Sequence, residues 1–476
     1  MKKKPAAPTK AEIKKLEKAL ALKPVLVWDK LDAARRKAAW KLAEDYKTFL
    51  NAAKTEREAA REIIRRAEAA GFEPLSAAGA SPKRHSVHLG KLAALTVSGR
   101  RPVTDGLRLI IAHIDAPRLD LKPKPLYEDV DLVFLKTHYY GGLKKYQWLS
   151  RPLALHGFVV KDDGRTVDLV IGEDPGEPVL TIADLLPHLA RKVQSDKKVN
   201  EAFPGEKLNL LVGSLPLGDD EVKNRFKLAI LDLLHKRWGL VEEDFISAEF
   251  EAVPAGPARD VGLDGGLMGG YGQDDRLCAW AGLTALIEAG QTDHTLAAVF
   301  VDKEEIGSDG ATGARTRHLE ALAADLLEKS GQAPTSAAVR KTLMNTKAIS
   351  ADVEGALDPD YQEVHEKNNA ARLGYGPCLT RYTGGGGKYG ASEAPAEFMG
   401  WLRGVFKKAG VIWQSSLLGR IDEGGGGTVA MFLARYGLEV VDCGPPLLAM
   451  HSPFEISAKS DLYMTVRAYR AFYQAG

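Results

Sequence analysis

Cysteine is scarce: Cys278, Cys378 and Cys443 are the only three in a chain of 476 residues. None forms a C-x-x-C pair, and an odd, scattered count builds no disulfide framework. A reducing, cytoplasmic setting is therefore expected. Long apolar runs are also missing. No stretch approaches the roughly 20 residues a helix needs to cross a bilayer. The basic start (Lys2, Lys3, Lys4) lacks the apolar core and cleavage site of a signal peptide. These absences argue against a membrane partner. Nor is there an excess of one charge. The 65 Lys and Arg nearly balance 63 Asp and Glu, leaving +2, which gives no electrostatic case for nucleic acid.

What is present is ordinary globular material, 45% hydrophobic and 27% charged. The length exceeds the roughly 250–300 residues at which one core stops growing. Two domains, or one domain with a large insertion, are expected.

The first seventy or so residues read as a helical layer packed on a sheet. Thr55 and Glu58 form a capping box, and Gly71 sits where a helix C-cap belongs. Trp40, Tyr46, Phe49 and Leu50 recur at helical spacing. Leu107–Ala112 is a buried strand ending at His113-Ile114-Asp115-Ala116-Pro117. From about Leu121 to Val253 the chain becomes short strand-like runs with turns: Phe158–Val160, Val167–Ile171, Leu208–Val212 and Phe245–Val253. Phe226–Trp238 is the helical exception. After about Gly265, helices at Asp275–Ala289, Glu397–Ala409 and Thr428–Tyr436 alternate with strands at Leu296–Val301, Lys347–Ser350 and Leu438–Val441. Ala311–Lys341 mixes loop and helix signals without a clear order. The pattern is α/β, with a largely parallel central sheet flanked by helices and an inserted β-rich domain. The expected division is 1–120 and 255–476 for the main domain, with 121–254 inserted.

Open α/β sheets bind ligands beyond the carboxyl ends of their strands. The predicted strands lead to His113 and Asp115, to Asp302, Glu304 and Glu305, to Asp352, and through a Pro-Pro turn to His451. Asp274-Asp275 opens a helix after the Gly-rich segment Gly265–Gly272. Two histidines with several carboxylates form the mixed nitrogen and oxygen set that zinc and similar ions prefer. Two ions about 3.5–4 Å apart need a bridging carboxylate, and one further carboxylate must take a proton. Adjacent Glu304 and Glu305 divide those tasks if they sit on a turn. Each feature alone is weak, since a histidine after a strand is usually structural.

The words around these residues are more specific. Ala112-His113-Ile114-Asp115-Ala116-Pro117, Gln273-Asp274-Asp275-Arg276, Asp302-Lys303-Glu304-Glu305-Ile306-Gly307-Ser308, Ser350-Ala351-Asp352-Val353, Glu366-Lys367-Asn368-Asn369-Ala370 and Met450-His451-Ser452 occur in that order. From about Leu107 onward the sequence resembles the aspartyl aminopeptidase and vacuolar aminopeptidase I family of two-metal exopeptidases, particularly its bacterial members. The resemblance implies two divalent ions per subunit, zinc first, with manganese or cobalt as alternatives, and a bridging hydroxide that attacks peptides at their N-terminal residue. His113 would bind one ion and His451 the other. Asp274 would bridge them, Asp352 would complete the first site and Glu305 the second. Glu304 would be the general base, and Asp115 would orient the ligands from behind. The implied fold is an α/β exopeptidase domain interrupted by a β-rich dimerisation domain, and the implied assembly a homo-oligomer, commonly a dodecamer built from dimers.

Two departures stand out. Many members carry a histidine in the segment matching Tyr140–Leu149 that serves a neighbouring subunit's site; here Tyr146 stands there, and nearby His138 is not an evident replacement. Acid-preferring members place a cation near Leu379–Tyr389, where Arg381 would favour substrates beginning with Asp or Glu.

Other motifs fail. Gly384–Lys388 resembles a phosphate loop, but Tyr382 and Tyr389 occupy the places that need Gly and Ser or Thr. The glycines there and at Gly424–Gly427 instead permit close backbone approach. His365-Glu366 opens like H-E-x-x-H, but Asn369 replaces the second histidine. Cys443, with no base placed beside it, reads as a small buried hydrophobe. A metal-dependent deacylase or carboxypeptidase on a related scaffold is the rival enzyme. A non-catalytic assembly or cargo-binding protein is the rival from another class.

Overall fold

The computed structural model describes residues 8–79 and 81–476, so the Lys2–Lys4 run lies outside the described residues. Helix α1 (Lys10–Leu20) buries none of its residues. Helices α2 (Ala33–Ala52) and α3 (Glu56–Ala69) follow, and the expected capping box forms at α3. The Glu58 N–H donates to the Thr55 hydroxyl at 3.2 Å, and the Thr55 N–H donates back to the Glu58 carboxylate at 3.1 Å. Two donors that a helix start leaves unpaired are thereby satisfied. Gly71, just past the helix, takes the left-handed conformation a glycine allows (φ +84°). Tyr46, Phe49 and Leu50 reach the core, whereas Trp40 stays partly exposed.

Strands β1 (Glu73–Pro74), β2 (Lys83–His88), β3 (Leu92–Val97) and β4 (Leu107–His113) belong to the main sheet. The chain then builds a separate sheet from β5 (Arg118–Asp129), β6 (Leu132–Tyr140), β7 (Leu153–Val160), β8 (Thr166–Ile171), β9 (Leu210–Gly213) and β10 (Ala248–Pro254). Its order is β8-β7-β10-β5-β6-β9, antiparallel throughout, with α4 (Arg225–Trp238) packed on it. The main sheet resumes after α5 (Gln273–Ala289) with β11 (Thr295–Val301), then α6 (His318–Lys329), α7 (Ser336–Met344) and β12 (Lys347–Ser350). The main sheet and its covering helices are completed by β13 (Cys378–Thr380), α8 (Ala396–Ala409), β14 (Gln414–Ser415), α9 (Ala430–Ala434), β15 (Glu439–Gly444) and α10 (Lys459–Tyr473).

The main sheet has the order β1-β2-β3-β11-β4-β12-β15-β13-β14. Its centre, β11, β4, β12 and β15, is parallel, and antiparallel pairings with β3 and β13 bound it on either side. Along β4, Ile110 and Ala112 pack into a core shared with α2, α3, α5 and α10, while Leu107, Leu109 and Ile111 face a second core under α6 and α7. Covered on both faces, such strands read in sequence as unbroken apolar runs. The expected α/β architecture is thus present, with a separate antiparallel sheet beside it.

Boundaries shift in three places. Residues Glu242–Ser247 form a short 3-10 turn, so the strand expected from Phe245 begins at Ala248. The helix expected over Thr428–Tyr436 shrinks to α9, because the Thr428 hydroxyl donates to Asp442 Oδ1 at 2.7 Å and holds that end as loop. The unordered stretch Ala311–Lys341 resolves into a loop followed by α6 and most of α7.

Candidate metal centre

The carboxyl ends of the parallel strands deliver the polar residues to one place. His113 closes β4, and Asp352 lies two residues beyond β12. After β11 the chain turns through Lys303, in a left-handed conformation (φ 68°), into a 3-10 turn holding Glu304 and Glu305. Asp274 and Asp275 stand before the regular part of α5 with non-helical dihedrals, joined by a cis peptide bond. His451 occupies the loop after β15.

Asp274 lies between the two histidines. Its Oδ1 is 3.1 Å from His113 Nε2, and its Oδ2 is 3.1 Å from His451 Nε2. Glu305 Oε1 lies 3.5 Å from His451 Nε2, and Asp352 Oδ1 lies 3.9 Å from His113 Nε2. Both rings turn their other nitrogen to a backbone carbonyl: His113 Nδ1 to Asp115 at 3.1 Å and His451 Nδ1 to Gly142 at 2.8 Å. Those carbonyls hold the Nδ1 proton of each ring, so Nε2, which faces Asp274, is the nitrogen a cation would take after displacing its proton. Asp115 is fully buried, and its two oxygens accept the N–H groups of Glu304 and Glu305, each at 3.2 Å.

The charges are poorly balanced without a cation. Burial raises the pKa values of Glu305 and Asp352 well above the usual carboxylate range, with Asp274 adding to both. Burial also raises Glu304, partly offset by His113. Asp274 moves the other way: burial opposes ionisation, but hydrogen bonds with both histidines lower its pKa. Burial favours neutral histidines, yet the carboxylates win; His113 rises well above its ordinary value, and His451 rises to about 10 through Asp274. Glu305 Oε1 is buried with no hydrogen-bond partner among the described residues. Donor atoms of His113, Asp274 and Glu305 all lie within 4.8 Å of one another, as do those of His113, Asp275 and Asp352. An orphaned carboxylate oxygen amid crowded acids and two imidazole nitrogens turned into the same cluster fits divalent ions of the zinc type.

The cluster opens into a cavity of about 620 Å³ walled by Met431, Phe432, Leu418 and Ile421, by Gly384 and Gly386 of the first glycine run and by Gly424–Gly427 of the second. The two runs approach backbone to backbone, the Gly384 N–H donating to the Gly426 carbonyl at 2.7 Å. Arg381 is not among the residues lining the cavity; its guanidinium is 3.3 Å from Glu393, which Lys388 also contacts at 3.3 Å. Cys443 is buried, as its sequence context suggests.

Residues 49–473 match the family model described as "Aminopeptidase I zinc metalloprotease (M18)". The chain belongs to the M18 aminopeptidase family. It is accordingly a metal-dependent peptide hydrolase of zinc-metalloprotease type. A relative of this M18 chain from Clostridium acetobutylicum, named "Probable M18 family aminopeptidase 1", is 45% identical over 94% of this chain and 97% of its own length. The crystal structure of the M18 aminopeptidase from Thermotoga maritima superposes with a TM-score of 0.91 at 45% identity, covering 95% of this chain and 99% of that one. The S. cerevisiae mApe1 dodecamer shares the fold, with a TM-score of 0.71 at 20% identity over 90% of this chain and 96% of that one.

Sequence reasoning did not single out Glu455. Its carboxylate accepts the Asp274 N–H at 3.1 Å and the His451 N–H at 2.8 Å, so one side chain braces two of the converging residues. Burial and the nearby Asp274 push its pKa up to about 8. An acid four residues after His451 was the available signal.

Proposed function

We propose that this M18 aminopeptidase removes N-terminal residues from peptides with two divalent ions per subunit. One would be held by His113 and Asp352, the other by His451 and Glu305, with Asp274 shared. The observation that carries this reading is the pair of 3.1 Å approaches that set one oxygen of Asp274 against each histidine. When bound, such ions polarise the scissile carbonyl and lower the pKa of an attacking water toward neutrality. Glu304, on the cavity wall beside the cluster, accepts that water's proton on its carboxylate and returns it to the leaving amine. Asp115 fixes the turn carrying Glu304 and Glu305 and orients the His113 ring. Zinc is the metal in the family's description; manganese and cobalt suit the same ligands.

In this reading, 1–120 and 255–476 form the catalytic unit, and 121–254 is an inserted dimerisation domain. We propose assembly into a homo-oligomer, a dodecamer built from dimers, the S. cerevisiae mApe1 structure being itself a dodecamer; native mass spectrometry reads the stoichiometry directly. No helix among the described residues is long and apolar enough to cross a membrane; the cytoplasmic location belongs to the proposal and rests on the scattered, odd cysteine count.

Metal analysis combined with a substrate panel tests the function. The expected result is near two equivalents of metal, with cleavage of peptides bearing free N-termini and none of acylated ones. Cleavage of acylated substrates instead would move the protein to the deacylases, and absence of metal would favour a scaffold. A preference for Asp or Glu at the N-terminus needs a cation, and Arg381 would have to leave Glu393 to supply one. If it does, Arg381→Ala lowers kcat/KM for acidic substrates alone; an unchanged ratio of acidic to neutral substrates removes the preference.

A further inference from the structure

The antiparallel sheet reaches the cluster of acids and histidines at the end of β6. Tyr140, its last residue, is buried and donates its hydroxyl to Asp115 Oδ2 at 2.8 Å. Two residues on, the Gly142 carbonyl receives the His451 Nδ1–H at 2.8 Å. Between them Gly141 takes φ +73°, and a Cβ there would come within 3.2 Å of Glu305 Oε2. A side chain on this segment would therefore crowd the ligands.

Tyr140 is itself held firmly. The Arg118 guanidinium lies 3.9 Å from the centroid of its ring, and Arg118 pairs with Tyr140 across β5 and β6. Arg118 is buried among carboxylates, with Asp120 at 2.8 Å, Glu251 at 3.1 Å and Glu56 at 3.2 Å. The phenol thus projects from an anchored platform onto the one carboxylate that fixes the Glu304–Glu305 turn. Of the hydrogen bonds Asp115 receives, the one from Tyr140 is the shortest, against 3.2 Å for each backbone N–H.

We propose that Tyr140 is a positioning residue for the peptidase reaction. Its hydroxyl locks Asp115, and through it the base Glu304, the ligand Glu305 and the His113 ring. The Gly142 carbonyl orients His451 from the same strand end, so a single three-residue strap sets both histidines. This inference rests on reading the cluster as the metal centre.

Tyr140→Phe removes the hydroxyl while keeping the ring beneath Arg118. Loss of a partner directly behind a metal ligand costs roughly 10–100-fold in metal affinity or activity; Tyr140 acts one residue further out, through Asp115, so its effect belongs at the lower end, about tenfold. The expected result is zinc binding weakened to that extent by titration of the chelated full-length protein, a lower kcat with little change in KM, and an altered visible absorption of the cobalt-loaded protein. Tyr271→Phe is the comparison. That hydroxyl donates to the Pro117 carbonyl at 3.1 Å, near the same junction but without touching Asp115, and its loss should leave affinity and spectrum unchanged. Should Tyr140→Phe fold poorly, 3-fluorotyrosine placed at 140 keeps the shape with a more acidic phenol. It should perturb the cobalt spectrum in the opposite sense to any residual signal from the Phe variant. Wild-type affinity, spectrum and kcat in Tyr140→Phe, or an unperturbed spectrum with the fluorinated residue, would overturn the proposal while leaving the aminopeptidase reading intact. A wild-type chain that takes up no metal would overturn that reading, and the positioning role with it.

Discussion

Glu304→Gln is expected to cut peptide turnover by roughly 10²–10⁴-fold, the usual cost of a lost acid–base group, while metal content stays at the wild-type level. The side chain keeps its size, and the turn it sits on is held through backbone N–H groups by Asp115, not through the Glu304 carboxylate. What disappears is an acceptor for the water's proton. Burial raises the pKa of Glu304, with His113 and His451 opposing the shift. Steady-state kinetics beside elemental analysis of the same sample makes the check. Native turnover in a fully loaded variant would remove Glu304 from the role.

Asp274→Ala should act on both ions at once. The residue faces one histidine with each oxygen, so its loss takes a shared ligand from two positions. The loss in activity should exceed the roughly 10–100-fold that partners outside the ligand set cost, and bound metal should fall below one equivalent. The two variants therefore separate by metal content: Glu304→Gln loaded and slow, Asp274→Ala depleted and inactive. An Asp274→Ala protein that still carries two equivalents would show that the ions do not share this carboxylate.

Much of this was legible in sequence for physical reasons. β4, β11 and β12 are covered on both faces, so each is a compact apolar run, and the polar residue after each run marks the carboxyl edge of the sheet. That rule put His113, Glu304, Glu305 and Asp352 at one edge as candidates, each weak alone until the surrounding words were added. Asp274 and His451 were harder, because one precedes a helix and the other follows a long loop; there the surrounding words supplied what periodicity did not. Glu455 and Tyr140 were missed for a different reason. Each acts through a hydrogen bond to a residue distant in the chain, Asp274 for Glu455 and Asp115 for Tyr140, and the one local cue was the place of Glu455 four residues after His451. Arg381 shows a different gap: its sequence position suggests a cation for acidic substrates, and only the fold reveals Glu393 3.3 Å from its guanidinium.

The strand order has a consequence for synthesis. The antiparallel sheet draws on residues up to Pro254, whereas β4 pairs on either side with β11 and β12, which begin only at Thr295 and Lys347. Chains emerge from the ribosome N-terminus first. The antiparallel sheet can therefore close while the catalytic sheet still lacks the neighbours of its central strand. His451 follows almost a hundred residues after Asp352. Once residue 274 is made, the nascent chain carries His113 and Asp274 without His451 for a further 177 residues, so under the proposed two-ion reading the metal centre is completed late in synthesis.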